Sequence, residues 1–164
     1  MTSKTNADTG AGSAPLQIEI GVIYDLGEVT FSPDDIRLCQ QAFKSSNPIH
    51  DLGGGVAFGA QELGLVTERL RDWAVGTDLP CRNKIAVVKV EELEFLALVT
   101  HRLVGRLMVM VSDLTEYWAG RGECAQLVGM EIEFDFQIQR VSRKTGELEN
   151  DLLCWGTLRG SGKP

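Results

Sequence analysis

Met130-Glu131-Ile132-Glu133-Phe134-Asp135-Phe136-Gln137-Ile138 alternates without a break between bulky apolar and polar side chains. Successive side chains of an extended chain point to opposite faces, so this stretch is a strand with one dry face and one wet face. The strand runs to Val141 and gives way to the turn Ser142-Arg143-Lys144-Thr145-Gly146-Glu147. Leu148 to Leu158 then returns as an antiparallel partner. A sheet with one dry face needs a cover.

The segment from Val56 to Trp73 supplies one. Ala57, Ala60, Leu63, Gly64, Val66, Leu70 and Trp73 fall along it, and charges appear only late, at Glu68, Arg69, Arg71 and Asp72. A helix whose first half is apolar nearly all round belongs inside other structure. Before it, Ile18, Ile20, Val22 and Tyr24 share one parity within Gln17 to Leu26, Gly27 interrupts, and Val29-Thr30-Phe31 resumes a short β run. Ser32 is then an N-cap, Pro33 suits the first helical position, and Asp34 and Asp35 complement the positive helix end. That helix is expected to reach about Lys44, and Pro48 prevents its continuation. After the loop marked by Gly76 and Pro80, Ile85 to Val90 and Leu93 to Val99 read as one long strand or two short ones. Leu103 to Val111 is another strand, and Gly120 to Gly122 marks a loop. The expected class is α+β: a central apolar helix wrapped by a curved antiparallel sheet, in one domain over 16–160. Residues 1–15 are expected to be a disordered leader and 161–164 a flexible tail.

The chain has 164 residues, of which 43% are hydrophobic, enough for one domain with a full core. A net charge of -7 and scattered positive residues argue against nucleic acid or an anionic membrane as partner. No apolar stretch approaches the roughly 20 residues of a membrane helix, and Met1 to Pro15 has no apolar core of a secretory signal. A cytoplasmic protein is expected. Cys39, Cys81, Cys124 and Cys154 are far apart, without a CxxC pair, so they read as reduced thiols and not as a metal or disulfide framework.

Chemistry concentrates between Ser45 and Leu63. Asn47-Pro48-Ile49-His50-Asp51 places one of two histidines after a rigid turn, and Gly53-Gly54-Gly55 leads into the apolar helix. Ile20-Gly21-Val22-Ile23-Tyr24, Val29-Thr30-Phe31-Ser32, Asp34-Asp35-Ile36 and Asn47-Pro48-Ile49-His50, in that order, resemble the MaoC-like hydratases and dehydratases of the hotdog superfamily. Val56-Ala57-Phe58-Gly59 resembles that family's Ala-His-Gly segment, Phe95-Leu96-Ala97 its Phe-x-x-Pro-Val strand, and Thr145-Gly146-Glu147 its late hairpin.

The resemblance implies a hotdog fold acting on acyl thioesters of coenzyme A or acyl carrier protein, by hydrating 2-enoyl or dehydrating 3-hydroxyacyl groups. It implies His50 as acid/base, Asn47 as the motif asparagine, and the Gly59 N–H at the helix N-terminus as donor to the thioester oxygen. It implies no metal and no redox cofactor. Preorganised N–H groups and a helix dipole stabilise an enolate-like oxygen, and a near-neutral imidazole shuttles protons. Ser45 stands where the family has an aspartate, Phe58 where a histidine is usual, and the stretch from His50 to Gly59 is shorter than in that family. Glu62 and Asp51 are the candidates to replace the missing acid.

The same residues admit a second alignment. Asn47, Gly54-Gly55 and Glu62 resemble the hotdog thioesterases of the phenylacetate type, in which a carboxylate on the buried helix serves as nucleophile or base. Gly55 would then join the substrate-binding residues. A third reading is a catalytically inactive hotdog subunit that binds an acyl chain or pairs with an active homologue. Open edge strands favour a homodimer or a pair with a homologous subunit. Blander roles stand beside these. His50 can hold a backbone carbonyl, Glu62 can pair with Arg106, Trp73 and Trp155 can simply pack, His101 can be a solvated turn residue, and Ser45 and Ser46 can end a helix.

Overall fold

The structure, a computed structural model, describes residues 3–5, 14–44, 55–57 and 59–163. Strand β1 (Ser3–Thr5) and β2 (Ile23–Val29) precede helix α1 (Pro33–Phe43) and helix α2 (Gly59–Val75). Then come β3 (Ala86–Phe95), β4 (Gly105–Ala119), β5 (Gln126–Val141) and β6 (Leu148–Gly162). They form one sheet in the order β1-β2-β4-β5-β6-β3, antiparallel except for the β1–β2 pair.

The alternation in β5 sets the core. Met130, Ile132, Phe134, Phe136 and Ile138 are buried, and their ladder partners Val109 and Leu158 continue the dry face. One row runs Tyr24, Val109, Phe136, Gly156 and Leu93 across β2, β4, β5, β6 and β3. Gly156 must be glycine: a Cβ there would stand 2.5 Å from the Glu92 carbonyl oxygen and 2.9 Å from the Phe136 ring.

α2 lies on this face through Glu62, Val66, Leu70 and Trp73, which are buried at spacings that follow one helix stripe. Trp73 anchors the helix, with its ring 5.3 Å from that of Tyr24 and, edge-on, 6.3 Å from that of Phe134. Such side chains each stabilise the fold by about 1.5–3 kcal/mol on burial. Thr77 ends the helix, its hydroxyl donating to the Ala74 carbonyl at 2.7 Å.

α1 starts as its residues dictate. The Asp35 N–H donates to Ser32 Oγ at 3.1 Å and the Ser32 N–H to the Asp35 carboxylate at 3.2 Å, a reciprocal capping box, with Pro33 opening the helix.

Several boundaries differ from expectation. α2 begins at Gly59, not Val56, because the Ala57 N–H donates to the Val99 carbonyl at 2.7 Å and Val56 bridges Thr100. Of the two alternatives for Ile85 to Val99, the single strand forms, as Ala86–Phe95, and it ends short of Val99. β4 continues eight residues past Val111 to Ala119, pairing with a β5 that starts at Gln126. β6 reaches Gly162, inside the expected tail, and Ser3–Thr5 of the expected leader pairs with Ile23, Tyr24 and Asp25. No helix among the described residues is long and apolar enough to cross a membrane.

Candidate active site

The site is built at the N-terminal end of α2. Gly55, with a positive φ of 34°, turns the chain into Val56 and Ala57, and their pairing with Thr100 and Val99 straps the helix start to the loop after β3. The last residue of β3, Phe95, pairs with Cys154 of β6. Beyond it, the N–H groups of Leu96 and Ala97 both reach the Leu153 carbonyl, at 2.9 and 3.3 Å. The helix start, the end of β3 and the middle of β6 therefore meet in one corner.

Glu62 lies in this corner, in the first turn of α2, and is only 3% exposed. Its Oε2 has no hydrogen-bond partner among the described residues, and the same holds for Oε1 of the adjacent Gln61. The expected Arg106 partner is taken up elsewhere. Leu107 points into the core, so Arg106 points to the opposite sheet face, where its Nε lies 2.8 Å from the Asp25 carboxylate. Burial raises the Glu62 carboxyl from its ordinary 4.5 to about 7. A helix N-terminus favours a carboxylate by about 0.3–1 kcal/mol, less than the penalty of drying the charge, so burial wins. The result is a carboxyl that exchanges a proton near neutrality, beside the first N–H groups of a helix, which have no intrahelical acceptors.

Cys154 faces the same space. Burial, and then a charge on Glu62, push its thiol up to about 12. It is not a nucleophile here. Cys154 and Phe95 joined the corner through the register of β3 on β6, which the strand patterns alone do not fix.

Of the six sequence-derived candidates, Glu62, Gly59 and Gly55 are brought together at the helix start. His50, Asp51 and Asn47 lie outside the described residues, as do Ser45, Ser46 and Phe58. Trp73 packs in the core. Trp155 lies on the opposite face, its Nε1–H donating to Glu94 at 2.8 Å. His101 lies in the turn between β3 and β4 and is half-buried.

No family model matches the sequence, and no curated protein matches it. Solved structures do match its fold. A monoamine oxidase regulatory protein from Archaeoglobus fulgius superposes with a TM-score of 0.64 at 15% identity, over 89% of this chain and 91% of that one. An (R)-hydratase from A. caviae, involved in PHA biosynthesis, gives 0.60 at 15% identity, over 90% and 98%. This chain has the hotdog fold. An acyl-CoA hydrolase from Staphylococcus aureus, solved with butyryl coenzyme A and coenzyme A, gives 0.52 at 16% identity, over 82% of this chain and 62% of that one. Within this hotdog domain α2 is the central helix, and Glu62 occupies a stripe position otherwise filled by Val66, Leu70 and Trp73.

Proposed function

We propose that this hotdog domain acts on acyl thioesters of coenzyme A or acyl carrier protein, adding water to a 2-enoyl group or removing it from a 3-hydroxyacyl group. The observation that carries the reading is Glu62: a buried carboxyl whose Oε2 has no hydrogen-bond partner among the described residues, raised to about 7, one helical turn from the Gly59 amide. A buried carboxyl with one oxygen left unbonded is costly to keep, and such groups cluster where protons are exchanged.

In the hydration direction the ionised Glu62 takes a proton from water as its oxygen bonds to C3 of the enoyl thioester. Electron density moves to the thioester oxygen, which accepts from the Gly59 N–H at the positive end of α2. The enolate collapses as C2 takes a proton from His50, and the proton on Glu62 returns to solvent and from there to His50. Dehydration runs these steps in reverse. Glu62 thus does the work of the aspartate that Ser45 replaces. Support comes also from the fold shared with an (R)-hydratase over nearly all of both chains.

A second reading is hydrolysis, in which the Glu62-activated water attacks the thioester carbonyl and the thiol leaves. It is favoured by the place of the carboxyl, on the helix itself. The partner is a second hotdog chain, identical or homologous. Among the described residues β3 is an edge strand bonded to β6 alone, with Val88 and Val90 exposed along it.

One assay separates the readings. Crotonyl-CoA hydration removes the enoyl absorbance without releasing thiol, and hydrolysis releases thiol. The hydratase reading requires the first, with a loss of at least 100-fold in Glu62→Gln and in His50→Ala. Thiol release that survives His50→Ala and is lost in Glu62→Gln selects hydrolysis. Neither signal from the isolated chain, with another hotdog chain co-purifying, selects an inactive partner subunit.

A further inference from the structure

Phe95 is an apolar residue with one side on the site and one side on solvent. Its ring rests on the bare Cα of Gly59. A Cβ added there would stand 2.6 Å from Cζ and 2.7 Å from Cε2. Glu62 follows one turn later on the buried side of the helix, and helical side chains lean back toward the N-terminus, which directs its carboxyl toward Gly59 and the ring that rests on it. Cys154, the ladder partner of Phe95, borders the same space. The outward side of the ring is open: Phe95 is 45% exposed, and Leu96 and Leu98 beyond it are 52% and 62% exposed.

We propose that Phe95 is the specificity-determining gate of this site: its ring closes the space between the α2 N-terminus and solvent, and an acyl thioester enters only by displacing it. What enters rests on the acyl-thioester reading, whereas the closure rests on geometry alone. The ring hangs from the last residue of an edge strand and swings about two side-chain bonds without breaking a ladder hydrogen bond. With the ring on Gly59, Glu62 is dry. With the ring displaced, the Gly59 amide and the carboxyl both become reachable. The space beneath the ring then limits the bulk of the acyl group next to the thioester.

Among the described residues, the titratable side chain coupled to Glu62 is the Cys154 thiol on β6, and burial is what raises the carboxyl. Removing the ring therefore acts on Glu62 by admitting water, not by moving a charge.

The test is a carbon-detected NMR titration of the Glu62 carboxyl in the full chain, assigned by its disappearance in Glu62→Gln. The native midpoint is expected near 7. Phe95→Ala is expected to lower the proton affinity of Glu62 at least tenfold, Phe95→Leu by less, and Phe95→Tyr is expected to restore the native midpoint. If Phe95→Ala does not fold, the leucine variant decides. An unchanged midpoint in either folded variant overturns the gate. In thioester assays Phe95→Ala is expected to raise kcat/KM for branched over straight acyl groups at least tenfold, chiefly through KM. An unchanged preference also overturns the gate. A shifted midpoint in a chain that processes no thioester supports the closure and overturns the substrate reading.

Discussion

Glu62 on the central helix and Cys154 on β6 share one dry corner, and the thiol carries the mark of the carboxyl. Burial first, and then a charge on Glu62, push Cys154 up to about 12. Cys154 is 1% exposed, whereas Cys124 is exposed and Cys39 and Cys81 are half-buried. In the native protein at pH 8, a thiol reagent is expected to modify Cys124 first, Cys39 and Cys81 more slowly, and Cys154 only on unfolding. Peptide mapping after timed labelling checks the order. Labelling of Cys154 as fast as Cys124 would show the corner to be open.

The Glu62 carboxyl makes stability depend on pH in an unusual direction. Its folded value, about 7, lies above the ordinary 4.5, so between these values the folded chain binds more protons than the unfolded one. Its contribution to stability is therefore full below about 4.5, falls as pH rises to about 7, and stays low above that. A shift of this size corresponds to on the order of 3 kcal/mol. Glu62→Gln, uncharged at every pH, is expected to unfold at higher urea than the native chain at pH 8 and to lose that advantage at pH 5. Equal urea midpoints at pH 8 would mean that the carboxyl is not buried as a charge.

Two glycines give opposite expectations for the same change to alanine. At Gly156 a Cβ would meet the Glu92 carbonyl oxygen at 2.5 Å, so alanine must part β3 from β6 or displace Phe136. Overpacking of this kind typically costs about 1–3 kcal/mol. Gly64 lies on the exposed side of α2 with nothing within 4 Å of such a Cβ. Alanine there removes the entropy cost of a mid-helix glycine and is expected to stabilise by about 0.5–1 kcal/mol. Denaturant unfolding of both variants reads the two signs.

What could be read from the residues alone follows from where periodicity is undisturbed. From Met130 to Ile138 β5 keeps a strict alternation because one face is dry there, and the Ser32 cap with Pro33 marks the start of α1 unambiguously. The ends of β4 and β6 were not legible for opposite reasons. Thr115 to Ala119 are exposed, so no dry face imposes a pattern, and Gly160 and Gly162 look like turn residues. They pair in the ladder with Ile132 and Met130, and they are glycines because a Cβ at 160 would press on Ile132 and Ile85, and one at 162 on Cys81. The start of α2 moved because Val56 and Ala57 found strand partners, a tertiary choice that overrides local helix preference. Glu62 was legible as an oddity, a carboxyl on an apolar stripe. Its company was not, since Phe95 and Cys154 reach it only through ladder register, and Arg106 faces away by parity.

The most direct measurement is the pH dependence of kcat/KM for crotonyl-CoA hydration, with native chain and Glu62→Gln side by side. If Glu62 is the base that takes the proton from water, the native rate rises with pH through a midpoint near 7 and the glutamine variant falls at least 100-fold at pH 8. A glutamine variant that hydrates crotonyl-CoA at the native rate, with the same pH profile, would contradict the assignment of Glu62 to the chemistry.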